Sequence, residues 1–362
     1  MKTIVHVVGA RPNYMKIAPL MDALKDAPGI RQILVNTGQH YDEAMSKSFL
    51  RELQLPTPDR NLEVGSASHT VQTAKVMIGF EEVCLADKPD LVVVAGDVNS
   101  TMAATLVAAK LMIPVAHLEA GLRSFDRGMP EEVNRIVTDC LADLLLTPST
   151  DGDENLLKEG VPREKIHFVG NIMIDTLMRH LPMATLDRLR GRVAVTDKGY
   201  GVLTLHRPSN VDDPAILRRI LVAIAHVARQ MPVVFPVHPR TRGRLSSFGV
   251  EDLLTNVILT EPMGYIDFLS LSSHARIILS DSGGLQEEST ALSIPCLTLR
   301  ENTERPVTVT HGTNRVVGTR TQAILDGYAE ALARGHDPRR PPLWDGQTAG
   351  RIATVLQQFL AR

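Results

Sequence analysis

Short, almost wholly apolar runs alternate with longer stretches of helical period along nearly the whole chain. Runs such as Leu91–Ala95 and Leu144–Thr147 lack the in–out alternation of a half-exposed sheet and fit strands buried on both faces. In the first half the pattern predicts strands near Thr3–Val8, Gln32–Val35, Leu91–Ala95, Val115–Leu118, Leu144–Thr147 and His167–Val169. Helices fall between them, near Met15–Asp26, Thr70–Ala86, Ser100–Lys110, Glu131–Ala142 and Thr150–Glu159. The second half repeats the scheme. Its strands are near Val202–Leu205, Val233–Pro236, Val257–Leu259, Arg276–Leu279 and Cys296–Leu299, and its helices near Pro214–Gln230, Tyr265–Ser273, Leu285–Ser293 and Thr321–Arg334. A last helix is expected over Ala349–Leu360. Such alternation is the mark of parallel α/β layers.

At 362 residues the chain exceeds one ordinary core, which points to two domains. The stretch Arg179–Lys198 is rich in Arg and Asp and poorly strand-like, so the boundary is expected within Gly170–Lys198. We take residues 1–170 as the first domain and 171–344 as the second. Net charge is −2 and no basic block occurs, which argues against a nucleic-acid partner. No run approaches the ~20 apolar residues of a membrane span, and the N-terminus has no signal-peptide pattern, so a cytoplasmic location without a membrane partner is expected. Cys84, Cys140 and Cys296 lack metal or redox spacing and are expected to be reduced, buried thiols.

Ligands of open parallel sheets bind at the carboxyl ends of strands, so the residues after each strand carry the information. Arg276–Leu279 runs into Ser280-Asp281-Ser282-Gly283-Gly284 and then a helix start. There, unpartnered N–H groups and the helix dipole favour an anion, and glycine lets it approach. After the first strand come Arg11 and Lys16, cations at a helix start, where an anionic ligand would offset their repulsion by the dipole. Asp97 follows the Leu91–Ala95 strand, where helix capping is the alternative. Glu119 ends an apolar strand, a place where burial raises a carboxyl pKa. Glu131 and Glu132 follow Pro130, and for at least one of them stabilisation of the first helical turn is the simpler reading. His206 and His238 each end a strand, His238 with the more structural look, and Arg305 has Glu301 or Glu304 as ready partners. Carboxylates and a histidine around one cleft would suit proton transfer. No GxGxxG follows the first strand, and GxxxxGK[ST], HExxH and GxSxG are absent, so chemistry without redox cofactor or metal is expected.

Taken together, these segments resemble the non-hydrolysing UDP-N-acetylglucosamine 2-epimerase family. The matching pieces are GARPNYMK (9–16), TGQH (37–40), GDVNST (96–101), HLEAGLRS (117–124), MPEEVNR (129–135), TPS (147–149), Gly170-Asn171 with Ile174-Asp175, HRP (206–208), PVHPR (236–240), SDSGGLQEE (280–288) and TERP (303–306). The resemblance implies two Rossmann-like domains in a GT-B arrangement, an active site in the interdomain cleft, a C-terminal helix (about 345–362) that crosses back onto the first domain, and a homodimer. It implies a catalytic set of Asp97, Glu119, Glu131 and His206. Arg11 and Lys16 would line the substrate site with them, while Ser282, Gly283, Gly284, Glu288 and Arg305 would hold UDP, with Phe268 near the uracil.

The implied reaction eliminates UDP across C1–C2 to 2-acetamidoglucal and re-adds it with protonation of the opposite face, converting UDP-N-acetylglucosamine to UDP-N-acetylmannosamine for a surface polysaccharide. This chain departs from the family at Met263, where Gln is common near the base, and at Gln39–Asp42 and His206–Asn210, which correspond to the contacts of an activating second substrate in bacterial members. The short loop SFDRGM (124–129) is similar to members acting on UDP-2,3-diacetamido uronic acids as well as to archaeal-type N-acetylglucosamine enzymes. That substrate, a hydrolysing 2-epimerase, a GT-B glycosyltransferase and a non-catalytic sugar-nucleotide binder are the alternatives.

Overall fold

The computed structural model of the chain describes residues 1–39, 57–334 and 339–362. It divides into two compact units, residues 1–176 with 342–362 and residues 177–341. The first unit therefore runs six residues past 170, and its returning segment begins at Pro342.

The first unit is built from β1 (Lys2–Val8), α1 (Arg11–Leu24), β2 (Ile30–Asn36), β3 (Arg60–Asn61), α2 (His69–Asp87), β4 (Leu91–Ala95), α3 (Asn99–Lys110), β5 (Val115–Leu118), α4 (Pro130–Leu141), β6 (Leu144–Thr147), α5 (Thr150–Lys158) and β7 (Ile166–Phe168), and it continues into α6 (Ile172–His180). Its sheet is parallel throughout and ordered β3-β2-β1-β4-β5-β6-β7. All of Leu91–Ala95 is buried, as the unbroken apolar run requires of a central strand. Each such Val or Leu contributes roughly 1.5–3 kcal/mol of burial.

The second unit carries β8 (Gly201–Thr204), α7 (Pro208–Val211), α8 (Pro214–Ala228), β9 (Val233–Pro236), α9 (Pro239–Phe248), β10 (Val257–Thr260), α10 (Tyr265–Ser273), β11 (Ile277–Ser280), α11 (Gly283–Ala291), β12 (Cys296–Thr298), α12 (Val307–Thr310), β13 (Asn314–Val316) and α13 (Thr321–Arg334). Its parallel sheet is ordered β10-β9-β8-β11-β12-β13. Both sheets thus reverse direction of growth beside their first strand, at β1/β4 and at β8/β11. Those are the points where a doubly wound sheet opens a crevice for ligands.

The last helix, α14 (Thr348–Leu360), packs on α1. Asp175 fixes its start by accepting hydrogen bonds from Thr348 N (3.1 Å) and Ala349 N (2.7 Å). The Asn171/Asp175 motif is therefore structural. Pro19 lies inside α1 and cannot donate to the carbonyl of Met15. The Thr176 hydroxyl donates to that carbonyl instead, at 2.5 Å.

The structure departs from the sequence reading in a few places. Helix α1 starts at Arg11, four residues before Met15, because Pro12 is well tolerated in a first helical turn. Strands β3 and β13 are short, polar edge strands without an apolar run to announce them. Helix α9 (PRTRGRLSSF) buries only Thr241 and Leu245. Cys84 and Cys296 are buried, but Cys140 is exposed.

Candidate functional site

The strand ends of the first unit gather Lys16, Asp97 and Glu119. Lys16, on the second turn of α1, is buried and forms an ion pair with Glu119 Oε2, both side chains being only 7% exposed. The cation at the helix start thus has a protein partner. Glu119 sits in the left-handed backbone region at φ 71°, which a non-glycine residue enters at an energetic cost. Its N–H and that of Ala120 both donate to the Leu146 carbonyl (3.1 and 3.2 Å). Gly96 lies against the pair: a Cβ there would stand 2.9 Å from Lys16 Nζ and 3.4 Å from Glu119 Oε2. Arg11 is the first residue of α1, and its side chain lies outside the described atoms.

Asp97 does not cap a helix; the N-cap of α3 is Val98. Its carboxylate accepts from Arg135 Nε (3.0 Å) and Nη2 (2.8 Å) on α4. Arg135 also pairs with Glu132, which accepts Ser124 N, Ser124 Oγ and Phe125 N, each at 2.9 Å. Burial alone would raise the Glu132 pKa, but these donors and the Arg135 charge hold it below the usual range. Glu132 therefore takes the structural role, organising the 124–129 loop. The Glu131 side chain, beside it in the first turn, makes no hydrogen bond or ion pair with any described residue. Among the flanking motif segments, Gly9, Thr37, Gln39 and Ser100 interlock: Ser100 Oγ meets Thr37 Oγ1 (2.8 Å) and Gln39 Oε1 (2.7 Å). A Cβ on Gly9 would stand 2.4 Å from Ser100 Oγ. Residues 40–42 of the activator segment lie outside the described residues.

In the second unit the β8/β11 strand ends bring together His206 and the Ser282–Gly284 turn. Asp281, fully buried, accepts the backbone N–H groups of His206 and Arg207 (3.0 Å each) and pairs with His206 Nδ1 at 2.9 Å. Burial would raise the Asp281 pKa; the His206 hydrogen bond and charge and the Arg207 and His206 N–H groups more than offset it. The His206 side chain is 44% exposed, so Asp281 orients the ring and leaves Nε2 facing outward. His238 is the structural histidine, its Nδ1 accepting from Arg240 N at the start of α9 (3.2 Å).

Helix α11 begins at Gly283, two residues before Leu285. Its N-cap, Ser282, makes no side-chain cap bond, so the first-turn N–H groups keep their capacity for an anion. A Cβ on Gly284 would meet nothing within 4 Å, whereas one on Gly283 would stand 2.7 Å from Glu304 Oε1 and 2.8 Å from Arg305 Nη1. The two glycines therefore differ: the first permits packing, and the second leaves open space. Arg305 pairs with Glu287 (2.9 Å) and Glu304 (2.6 Å), and Glu301 instead faces Thr319. Arg300 and Arg207 complete the surround of Glu304, whose pKa falls to about 2 because, against burial, the charges of Arg305, Arg300 and Arg207 stabilise its ionised form. Glu288 is buried, and burial with the Glu287 charge pushes its carboxyl up to about 7. Met263 and Phe268 are half-buried against the cluster that contains Leu285.

Sequence reasoning passed over Arg135, Asp281, His117 and Asp139 as individuals, although each lies in or beside a quoted motif. Among the described residues no cluster of His, Cys, Asp and Glu is placed to hold a metal ion, and no helix is long and apolar enough to cross a membrane.

A family model described as UDP-N-acetylglucosamine 2-epimerase matches residues 22–357. The UDP-N-acetylglucosamine 2-epimerase of Methanocaldococcus jannaschii is 42% identical over 358 residues, covering 97% of each chain. The UDP-2,3-diacetamido-2,3-dideoxy-D-glucuronate 2-epimerase of Pseudomonas aeruginosa is 37% identical over 360 residues, covering 98% of this chain and 99% of its own. The crystal structure of the M. jannaschii UDP-GlcNAc 2-epimerase in complex with UDP-GlcNAc and UDP superposes with a TM-score of 0.90 at 41% identity, covering 99% of this chain and all of that one.

Proposed function

The chain belongs to the UDP-N-acetylglucosamine 2-epimerase family, and from that premise we propose that it interconverts UDP-N-acetylglucosamine and UDP-N-acetylmannosamine without hydrolysis. The observation that carries the reading is the gathering of Lys16, Asp97 and Glu119 at the strand ends of the first unit, with the Glu131 side chain on the adjoining helix lacking a partner among the described residues. In this reading a carboxylate of the first unit removes the C2 proton while the C1–O bond to UDP breaks, giving 2-acetamidoglucal. UDP oxygen then returns to C1 as a proton is delivered to the other face of C2. The groups that hold the departing diphosphate are the Ser282–Gly284 turn and Arg305, with Glu288, Phe268 and Met263 on the rest of UDP, Arg11 and Lys16 on the substrate, and His206 as an acid–base group held by Asp281. A binder or a glycosyltransferase has no need of Asp97, Glu119 and Glu131 together.

Incubation with UDP-N-acetylglucosamine in D2O, followed by NMR, tests this directly. Deuterium at C2 of UDP-N-acetylmannosamine is the expected outcome. Free N-acetylmannosamine with UDP would place the chain on the hydrolysing branch, and turnover of only the diacetamido-uronate would move the substrate to that of the P. aeruginosa relative.

The chain acts in this reading as a cytoplasmic homodimer. Val71, Ile78 and Leu85 repeat every seven residues along α2 and are 45%, 65% and 59% exposed, an apolar stripe suited to a second copy. Ile78→Asp is expected to convert the dimer to monomer in sedimentation; a wild-type monomer would refute the association.

A further inference from the structure

We propose that Asp139, a buried residue of α4, is a positioning residue that holds the Asp97 and Glu119 loops in one register. Its Oδ1 meets His117 Nδ1 at 2.6 Å, and the other nitrogen of that ring meets the Gly96 carbonyl at 2.9 Å. One arm thus ends on the residue immediately before Asp97. Its Oδ2 accepts Gly121 N–H at 3.1 Å and pairs with Arg123 Nη1 at 2.7 Å. The second arm thus closes the turn that follows Glu119. Arg123 is anchored in turn by Glu159, at 2.8 and 2.7 Å, and by the Leu122 carbonyl at 2.7 Å.

The geometry explains how Glu119 is kept in a costly backbone conformation. A left-handed glutamate persists only where its surroundings over-determine it. Here the residues on both sides are tied down: His117 through its ring, Gly121 through its N–H, and Arg123 through its guanidinium. Gly121 itself sits at φ 81° against Gly152, where a Cβ would stand 2.4 Å from a carbonyl oxygen. One carboxylate therefore reaches both loops. Burial penalises its charge, but the His117 and Arg123 charges and hydrogen bonds outweigh that and keep it ionised.

The inference rests on the reading that Asp97 and Glu119 act on the sugar. Asp139→Leu keeps much of the volume but removes both acceptor oxygens, so the His117 ring and the Gly121 N–H lose their shared partner together. Epimerisation kcat is expected to fall about 100-fold, the scale of a misplacement near 1 Å, while calorimetric UDP affinity stays within roughly threefold. A wild-type kcat overturns the proposal. So does a parallel loss of kcat, UDP binding and melting temperature, which is what a merely structural ion pair produces. His117→Gln, which breaks only the arm to Gly96, serves if the first variant does not fold; a loss of about 10-fold in kcat at unchanged UDP affinity supports the proposal, and wild-type kcat overturns it. Crystal structures of either variant give a readout independent of turnover: a displaced Gly96 carbonyl or a Glu119 released from the left-handed region supports positioning, and unmoved loops refute it. Absence of C2 deuteration by the wild-type protein counts against the functional reading instead, and the crystallographic comparison then decides the positioning alone.

Discussion

The two sheets share a strand order around their switch points, β2-β1-β4-β5 in one unit and β9-β8-β11-β12 in the other, yet load those points with opposite chemistry. The first unit places the carboxylates Asp97 and Glu119 there, with Arg135 and Lys16 as their counter-charges, and Glu131 on the helix that carries Arg135. The second places arginines, a histidine and an open glycine turn, with Glu287, Glu304 and Asp281 buried beneath as anchors. In the proposed function the acids of the first unit act on the substrate and its bases brace them, and in the second unit the roles are exchanged. Topology fixes where a ligand can sit, and side chains decide whether that place reacts or holds.

The sharpest way to break this contrast is Glu131→Gln. It removes one of the proposed proton-transfer groups and no described side-chain contact, so kcat is expected to fall about 1000-fold. UDP affinity should stay at the wild-type value in calorimetry, and stability within about 0.5 kcal/mol. Loss of UDP binding would erase the division between a reacting unit and a holding unit.

A second test concerns Glu288 and its pH dependence. Its folded pKa of about 7 stands above the ordinary 4.5, so the native state binds the proton more tightly than the unfolded chain. The resulting stabilisation is complete below the unfolded value and is lost as pH rises through 7, a change on the order of 3 kcal/mol. Glu288→Gln should therefore melt higher than wild type at pH 8, with the gap closing towards pH 4. A pH-independent gap would show that the carboxyl binds its proton no more tightly in the folded state than in the unfolded chain.

The smallest expected effect separates the two glycines of the turn. Gly283→Ala drives a Cβ into Glu304 and Arg305 and should weaken UDP about 10-fold, roughly 1.4 kcal/mol. Its effect on kcat at saturation should be slight. A fall in kcat with unchanged affinity would assign this turn to the chemistry.

The sheets were legible because buried parallel strands are unbroken apolar runs, and the strand-end positions of Asp97 and Glu119 were legible because they follow such runs. Pairing was not. Lys16 and Glu119 are 103 positions apart and His117 and Asp139 are 22 apart, distances at which no periodicity reports contact. Glu131 and Glu132 look equivalent in sequence, and only the direction of each side chain separates them. Edge strands β3 and β13 escaped because pairing with one neighbour needs no apolar signature. Arg305 was open between Glu301 and Glu304, and the fold chose Glu304 with Glu287, the latter carried by a helix that sequence order did not place beside it.

The Asp175 cap on α14 has a consequence for how the chain is made. Residues 177–341 leave the ribosome before the first unit receives its final helix. Until then Asp175 lacks the Thr348 and Ala349 N–H groups it serves, and the surface of α1 that α14 covers has no cover. The second unit can complete its sheet co-translationally. The first must wait for residues 342–362, so a chain without them should have one finished half and one sticky half.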